Sequence, residues 1–368
     1  MASIGVVAGE ASGDLHAAAL VRSLLRMRPD LRVWAVGGAA LREAGAEILY
    51  PAESLAAMGL LEVAGRLPAI LQARSRVLSR FAESPPDLFV PVDFGGLNLR
   101  LAGAARGRGI AVVYYIPPKV WAWGRWRAKR LGRVADEALV ILPFEAEYLR
   151  RLGVAATYVG SPLLDHLAPR SHEAEPDVVG LLPGSRMGEV SRIWPVLLGA
   201  ACRLARKRKL RFLVPRAPGV PRDALEGLLP AAGVRVEILD GGSQQVMERS
   251  RVALVASGTA TLECALHGTP MVVVYRLNPL TYALGRAMVR VPFISLPNLI
   301  AGRRIVPELV QQGAAEVATA AEPLLDEGPE RDAVVAGLGE VRRILGGPGA
   351  SERAARRIIA RLEGTPCA

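Results

Sequence analysis

The chain has 368 residues, of which 51% are hydrophobic and 22% are charged. This composition excludes a disordered protein, and the length exceeds what one hydrophobic core usually organises, so we expect two domains. The formal net charge of +11 favours an anionic partner, although an arginine-rich codon bias explains part of the charge.

The three cysteines and four histidines are scattered along the chain. No two of them have the spacing of metal ligands, and no disulfide framework is indicated, so we expect no metal site and a reducing compartment. The first residues are typical of a strand rather than of a signal peptide. No uncharged apolar run reaches about 18 residues, so no membrane-spanning helix is expected.

The first half of the chain alternates short apolar runs with segments of helical periodicity. Asp14–Met27 is predicted to be a helix. The predicted strands are Ile4–Ala8, Val33–Val36, Leu88–Val92, Ile110–Ile116 and Ala138–Leu142. Continuous apolar strands separated by helices are typical of a parallel sheet that is covered on both faces.

The second half repeats this pattern. Its predicted strands are Val178–Leu182, Arg211–Val214, Val234–Leu239, Val252–Ala256 and Pro270–Tyr275. The polar stretch from Pro162 to Asp177 is predicted to link the domains. We therefore expect an N-terminal domain over residues 1–165, a C-terminal domain over 166–345, and a terminal segment over 346–368. This segment contains the amphipathic helix Glu352–Leu362, which packs on the first domain or on a partner subunit.

The loops that follow the strands are the places to look for chemistry, because ligands bind at the carboxyl ends of parallel strands. Gly9–Asp14 has glycines that allow close backbone approach, Ser12 can cap the next helix, and the helix start can accept an anion. An ordinary tight turn explains the same residues. Asp93 ends a predicted buried strand, where a desolvated carboxylate acts as a general base or caps a helix.

Two loops of the second half occupy equivalent positions. Pro183–Arg186 offers backbone N–H groups and an arginine that can clamp a phosphate, or it is a surface turn with a solvated arginine. Ala256–Glu263 supplies small residues, hydroxyls and a helix start suited to a diphosphate, and Glu263 can accept hydrogen bonds from a ribose. The alternative is a helix N-terminus with a favourable acidic residue.

Aromatic and apolar segments are a third kind of candidate. Tyr114–Arg127 contains three of the five tryptophans, which suit stacking on a sugar, a lipid boundary or core packing. Leu55–Leu71 and Leu280–Val291 are apolar with few charges. Each of these two segments either touches a bilayer or acyl chains or forms a buried helix.

An ordered set of motifs resembles the lipid A disaccharide synthase family. The motifs occur in the family's order and span nearly the whole chain. They are Ala8–Asp14, Met58–Gly59, Val120–Trp123, Leu142–Glu145, Leu182–Arg186 with Glu189, Ala256–Ala260 with Glu263, and Ser295–Leu299 with Ala301–Arg303.

The resemblance implies an α/β glycosyltransferase of the GT-B type, with two doubly wound Rossmann-like domains facing each other across a cleft. It implies inverting transfer from UDP-2,3-diacylglucosamine to 2,3-diacylglucosamine 1-phosphate, which yields a β-1,6-linked disaccharide 1-phosphate and UDP. It implies no cofactor and no metal, because arginine and helix dipoles meet the charge of the leaving group.

The resemblance also assigns residues to roles. Asp93 is implied as the general base, and Glu10 and Asp14 shape the acceptor side of the catalytic site. The residues implied for the nucleotide sugar are Gly184, Ser185, Arg186, Glu189, Ser257, Gly258, Thr259, Ala260, Glu263 and Asn298. The residues implied for the acceptor and lipid side are Ser12, Met58, Trp121 and Trp123.

The implied location is the cytoplasm, with peripheral attachment to the anionic surface of the inner membrane. Scattered basic residues argue against a nucleic-acid partner, and a homodimer stays open. Gly95–Gly96 and Pro117–Lys119 depart from the family pattern near the acceptor loops. Two alternatives therefore stay open: another UDP-sugar enzyme of this architecture, such as a different glycosyltransferase or an epimerase, and a UDP-binding homologue without catalysis.

Overall fold

The computed structural model describes residues 1–52, 55, 67–122, 125–168, 171–278, 282 and 291–364. The chain forms two compact units. Unit 1 runs to Leu167 and includes the chain from Gly347 onward, and unit 2 runs from Ala168 to Gly346. The boundaries predicted from the sequence, after residues 165 and 345, lie within two residues of these points.

Unit 1 is built on a parallel sheet whose described strands have the order β3-β2-β1-β4-β5-β6-β7. The strands are β1 (Ser3–Ala8), β2 (Arg32–Gly37), β3 (Glu47–Pro51), β4 (Leu88–Val92), β5 (Ala111–Tyr115), β6 (Glu137–Val140) and β7 (Ala156–Tyr158). The helices that follow them are α1 (Ala11–Met27), α2 (Ala39–Glu43), α3 (Leu67–Glu83), α4 (Gly95–Arg106), α5 (Arg125–Val134), α6 (Pro143–Arg150) and α7 (Pro162–His166).

Unit 2 is built on a second parallel sheet, of order β10-β9-β8-β11-β12-β13. Its strands are β8 (Glu175–Leu182), β9 (Arg211–Arg216), β10 (Val236–Asp240), β11 (Ser250–Ala256), β12 (Met271–Tyr275) and β13 (Glu308–Val310). Its helices are α8 (Met187–Ala205), α9 (Asp223–Glu226), α10 (Leu229–Ala232), α11 (Ser243–Arg249), α12 (Thr259–His267), α13 (Leu296–Ala301), α14 (Ala314–Leu325) and α15 (Pro329–Leu345). A last helix, α16 (Ala350–Leu362), belongs to unit 1.

Both faces of the unit 1 sheet are covered by apolar helix faces, which is why its central strands are uninterrupted apolar runs. On one face the strands pack against α1 and α16, with Leu20 and Ile358 fully buried. On the other face they pack against α3 and α4, where Phe81 meets Phe89 edge-on at 5.1 Å between ring centroids.

The start of α16 is fastened to unit 1 by one carboxylate. Asp165 accepts hydrogen bonds from the backbone N–H groups of Gly349, Ala350 and Ser351, at 2.6 to 3.0 Å. Burial opposes the ionisation of Asp165, but these donors outweigh it and lower the pKa of the carboxyl group. The terminal helix therefore packs on the first unit of its own chain.

The stretch predicted to link the domains is shorter in the structure. Its first part forms α7, and its last part already belongs to β8. Ser171 donates its backbone N–H and its hydroxyl to the buried Glu248 of α11, at 3.1 and 3.0 Å, so it is bound to unit 2. The sequence prediction also missed the edge strands β3, β7 and β13, which are too short or too polar to show an apolar run.

Each sheet reverses its strand order once. The reversal falls between β1 and β4 in unit 1, and between β8 and β11 in unit 2. In open parallel sheets this switch point is where the loops after the strands diverge and leave room for a ligand. The four loops singled out from the sequence follow these four strands, and two parallel-sheet α/β domains are confirmed. Among the described helices, none is both long and apolar enough to cross a membrane.

Candidate active site

The loops that follow β1, β4 and β5 touch one another because glycines stand at the points of contact. A Cβ atom on Gly9 would lie 2.5 Å from the ring of Phe94, and a Cβ atom on Gly95 would lie 2.5 Å from Pro118. Neither position has room for a side chain. The three loops therefore form one surface at the carboxyl edge of the sheet.

Asp93 stands at this edge in an unusual backbone conformation. Asp93 and Phe94 have φ angles of +49° and +47°, in the left-handed region that residues other than glycine rarely adopt. The carbonyl of Asp93 accepts hydrogen bonds from the hydroxyl of Tyr114 at 2.9 Å and from the amide of Asn98 at 3.0 Å. Such strain persists only where surrounding contacts enforce it, and it is typical of functional sites.

Asn98 is a residue whose role the sequence analysis missed. Its buried side-chain amide also donates to the carbonyls of Val7 and Val92, at 3.0 and 3.1 Å, which are the ends of β1 and β4. It thereby joins the two strands that flank the switch point. The available signal was an asparagine among the apolar residues that open α4.

His16 was also missed, because only paired histidines were sought. It lies on α1 one helical turn after Gly13. A Cβ atom on Gly13 would be 3.9 Å from the Cβ of Asp93, so this face of α1 lies next to Asp93. Burial lowers the pKa of His16 and His166 lowers it further, while Asp93 and Asp165 act in the opposite direction. Its buried Nδ1 has no hydrogen-bond partner among the described residues. The imidazole is thus a neutral group close to Asp93.

Asp14 fastens the start of α2, a structural role that its prediction as an acceptor-side residue did not include. Its buried carboxylate accepts hydrogen bonds from the backbone N–H groups of Gly38, at 2.6 Å, and of Ala40, at 3.1 Å, where α2 begins. Ser12 does not cap α1, since the N-cap position belongs to Glu10 and has no side-chain cap bond. Glu10 and Ser12 are both exposed.

In unit 2 the turn between β8 and α8 presents an arginine. Gly184 has a φ of +108°, and a Cβ atom there would lie 2.8 Å from the carboxylate of Glu189. Arg186 occupies the N-cap position of α8 with an exposed side chain, 3.8 Å from Glu189, and Ser185 is exposed beside it. The turn therefore combines a helix N-terminus with an accessible guanidinium group.

The turn between β11 and α12 has small exposed residues at its tip, Gly258 and Thr259, with Ala260 half-buried. Ser257 has already donated its backbone N–H to Val274 and its hydroxyl to Ile294, so it has no donor left for a phosphate. This corrects its predicted contact. The first N–H groups of the helix remain the suitable donors, because a helix leaves them unpaired.

Glu263 lies one turn into α12 and is half-buried. Burial raises the pKa of its carboxyl group, and no described residue donates a hydrogen bond to it. A desolvated carboxylate with free acceptor oxygens is stabilised by any ligand that brings hydroxyl donors. This arrangement suits the two hydroxyls of a ribose.

Asn298 is fully occupied inside unit 2, which corrects its prediction as a diphosphate ligand. Its Oδ1 accepts from the N–H groups of Ile305 and Val306 at 2.7 and 3.0 Å. Its Nδ2 donates to the carbonyl of Val306 at 3.0 Å and to Glu308 at 2.8 Å. Glu308 also accepts from Ser295, the N-cap of α13, so this motif holds the chain rather than a ligand.

Of the four predicted acceptor-side residues, the structure describes Ser12 and Trp121 but not Met58 and Trp123. Trp121 is half-buried and donates its indole N–H to Glu145 at 2.7 Å. Trp123 and Met58 lie outside the described residues, as do most of Leu55–Leu71 and Leu280–Val291. In the part of the chain that is described, no cluster of three histidine, cysteine or acidic residues could hold a metal ion.

Solved structures show which fold the chain has. The glycotransferase of kitacinnamycin has a TM-score of 0.64 at 18% identity, covering 98% of each chain. A UDP-GlcNAc 2-epimerase from Neisseria meningitidis, bound to UDP-GlcNAc, has a TM-score of 0.66 at 13% identity, covering 98% of this chain and 100% of that one. The fold is that of GT-B glycosyltransferases and UDP-GlcNAc epimerases.

Sequence relatives define the family. The family model described as lipid-A-disaccharide synthetase matches residues 4–332. Lipid-A-disaccharide synthases of Myxococcus xanthus (strain DK1622) and Anaeromyxobacter dehalogenans (strain 2CP-C) are 42% and 44% identical over 367 residues, covering 96% of each chain. The chain belongs to the lipid-A-disaccharide synthetase family and is a disaccharide-forming glycosyltransferase; the epimerase alternative is not favoured.

The substitution Asn298→Ala separates the structural role of this residue from ligand binding. We expect it to lower the free energy of unfolding by about 2–4 kcal/mol, because buried backbone N–H groups lose their acceptor. UDP affinity of the folded protein, measured by calorimetry, should stay within about twofold. Thermal denaturation checks the first value, with the exposed Gln312→Ala as control. Normal stability with lost UDP affinity would restore the ligand role.

Proposed function

We propose that the chain transfers 2,3-diacylglucosamine from UDP to the 6-hydroxyl of 2,3-diacylglucosamine 1-phosphate. The products are the β-1,6-linked disaccharide 1-phosphate and UDP. Membership in the lipid-A-disaccharide synthetase family supports the reaction class. The observation that carries the proposal is the strained, half-buried Asp93 at the switch point of the unit 1 sheet.

Asp93 is the proposed general base. No described residue donates a hydrogen bond to its carboxylate, whereas its backbone is fixed by Tyr114 and Asn98. A carboxylate with free acceptor oxygens can receive the proton of the 6-hydroxyl as that oxygen attacks the anomeric carbon. Attack on an α-linked donor in a single displacement gives the β product.

Unit 2 is the proposed site of the nucleotide. The diphosphate accepts hydrogen bonds from the N–H groups that open α8 and α12, and Arg186 adds a charge-assisted contact. Glu263 accepts from the ribose hydroxyls. Negative charge that develops on the leaving UDP is stabilised by the same helix starts and by the arginine, so the proposed reaction needs no metal and no cofactor.

Unit 1 is the proposed membrane-facing part. Leu67 and Leu71, one turn apart at the start of α3, are 54% and 51% exposed, and Trp126 of the basic helix α5 is 64% exposed. The guanidinium of Arg127 lies 5.3 Å from the centre of the Trp126 rings. Exposed leucines, together with an indole among cations, suit the boundary of an anionic bilayer, so we propose peripheral attachment to the inner membrane.

The substitution Asp93→Asn tests the base. We expect turnover to fall on the order of 100-fold or more, with UDP affinity nearly unchanged, because the amide cannot accept the proton. The assay uses UDP-2,3-diacylglucosamine, the acylated sugar phosphate and detection of the disaccharide by mass spectrometry. The exposed Glu43→Gln serves as control. Unchanged turnover of Asp93→Asn removes its role, and a product other than the disaccharide contradicts the proposed substrates.

The substitution Arg186→Ala tests the nucleotide site. Loss of a charge-assisted contact should weaken UDP binding by about 1–3 kcal/mol in calorimetry. Arg206→Ala, which removes an exposed arginine at the opposite end of the same helix, is the matched control and should bind UDP normally. Equal affinities of the two variants would exclude Arg186 from the site.

The double substitution Leu67→Ser with Leu71→Ser tests the membrane surface. Because each buried leucine side chain contributes about 1.5–3 kcal/mol, we expect affinity for anionic vesicles to fall at least tenfold in a sedimentation assay. The matched control is Val335→Ser with Ile344→Ser, which removes two exposed apolar residues of α15 in unit 2. An equal loss in both proteins, or no loss in either, argues against a membrane surface at α3.

A further inference from the structure

Glu145 is a buried carboxylate that the proposed reaction does not use. It lies in the first turn of α6, and both of its oxygens accept hydrogen bonds. Oε1 accepts from the indole Nε1 of Trp121 at 2.7 Å, and Oε2 accepts from the backbone N–H of Leu142 at 3.1 Å. A carboxylate suits this position because it offers two acceptors, whereas an amide offers one.

Burial of the Glu145 carboxylate is unfavourable for its charged form, and this changes its pKa. Burial raises the pKa of Glu145 to about 7, against the opposing effects of the Trp121 indole, the Leu142 N–H and Lys119. Tyr158 of β7 also faces Glu145, and Tyr158 itself faces Arg353 of α16. The carboxyl group therefore changes its charge near neutral pH.

Trp121 connects this carboxylate to the loop beside the proposed base. The loop comprises residues 117–122, and Pro118 at its start packs on Gly95, two residues after Asp93. At the other end of the loop, Trp121 bonds to Glu145 and meets the ring of Phe144 edge-on at 5.2 Å between centroids. The loop is thus held at both ends, by α6 and by the loop that carries Asp93.

We propose that Glu145 is a positioning residue for the acceptor sugar: its carboxylate holds Trp121 and thereby keeps the loop 117–122 against the loop of Asp93. The inference rests on the proposed function, because only then does the acceptor bind beside Asp93. It assigns a role to a part of the chain, Pro117–Lys119, that departs from the family pattern.

A dependence on pH follows from this arrangement. Protonation removes the negative charge of Glu145 and turns one of its oxygens into an O–H donor, so its hydrogen bonds to N–H groups weaken and the loop is held less firmly. Acceptor affinity should fall as the pH drops through about 7. Stability changes in the opposite sense. Because the folded protein has the higher pKa, protonation of Glu145 favours folding below the unfolded value of 4.5, and this contribution is lost as the pH rises through about 7.

Two variants and one control test the proposal. Glu145→Gln keeps the shape of the side chain and one acceptor, and Trp121→Phe keeps a ring against Phe144 but removes the N–H donor. Both should raise the KM for the acceptor about tenfold, the value of one hydrogen bond, with the KM for the donor and kcat within about twofold. Glu147→Gln, an exposed neighbour on α6, should behave as the unaltered protein.

The pH profile distinguishes positioning from a merely structural role. The KM for the acceptor should rise between pH 8 and pH 6 in the unaltered protein and in Glu147→Gln, and should stay flat in Glu145→Gln. Equal changes in both KM values, or an unchanged KM for the acceptor in both test variants, overturn the proposal. If Glu145→Gln does not fold, Trp121→Phe carries the same test, because it leaves the buried carboxylate in place.

Tryptophan fluorescence supplies a readout that does not depend on transfer. The emission of the unaltered protein should change with a midpoint near pH 7, and this transition should disappear in Glu145→Gln and in Trp121→Phe. If the transition is present but no disaccharide forms from the acylated sugars, the proposed function fails while the Glu145–Trp121 contact stands. If disaccharide forms but the transition is absent or survives in both variants, the positioning role fails by itself.

Discussion

The side-chain amide of Asn98 is the constraint on which the edge of the unit 1 sheet depends. Where strands end, the last carbonyls have no further strand residue beside them and need other donors. The two N–H groups of the Asn98 amide are shared among the carbonyls of Val7, Val92 and Asp93. The buried Asn98 amide thus supplies hydrogen-bond donors to the carbonyls at the switch point. It thereby helps to hold Asp93 in a backbone conformation that this residue would not adopt by itself.

Two sets of buried and half-buried acidic residues differ in what fills their carboxylate oxygens. Asp14, Asp165 and Glu308 accept backbone N–H groups at the start of a helix or a turn, and they fasten loops. The carboxylates of Asp93 and Glu263 receive no hydrogen bond from any described residue. A carboxylate with this spare capacity can accept protons or hydroxyl donors from a ligand, which is why the proposed chemistry uses these two residues.

Glu145 has properties of both sets of acidic residues. Its oxygens are filled, as in an anchor, but one of its donors is an indole N–H on a loop rather than the backbone of a helix start. Its pKa near neutrality makes that contact sensitive to pH, whereas the three backbone donors of Asp165 keep its pKa low. The balance of burial and donors therefore gives two carboxylates opposite pKa shifts, and in the proposed role only the contact of Glu145 depends on pH near neutrality.

The class of fold, the strands that surround the switch points and the loops that follow them were predictable from the amino-acid sequence. These features depend on local apolar runs and on short motifs such as Gly9–Asp14 and Pro183–Arg186, which are visible without knowledge of distant contacts. The resemblance of the ordered motifs to one family was likewise a property of the sequence, and the relatives confirm it.

The hydrogen-bond partners of the polar residues could not be predicted from the sequence and became known from the folded chain. Asn298, Ser257 and Asp14 have the residue types of ligand contacts, yet each is hydrogen-bonded to backbone groups from other elements. His16 and Asn98 are unremarkable in sequence and become prominent through their proximity to Asp93. The physical reason is that the hydrogen-bonding capacity of a side chain is shared among neighbours far apart in the chain, and only packing reveals what remains for a ligand.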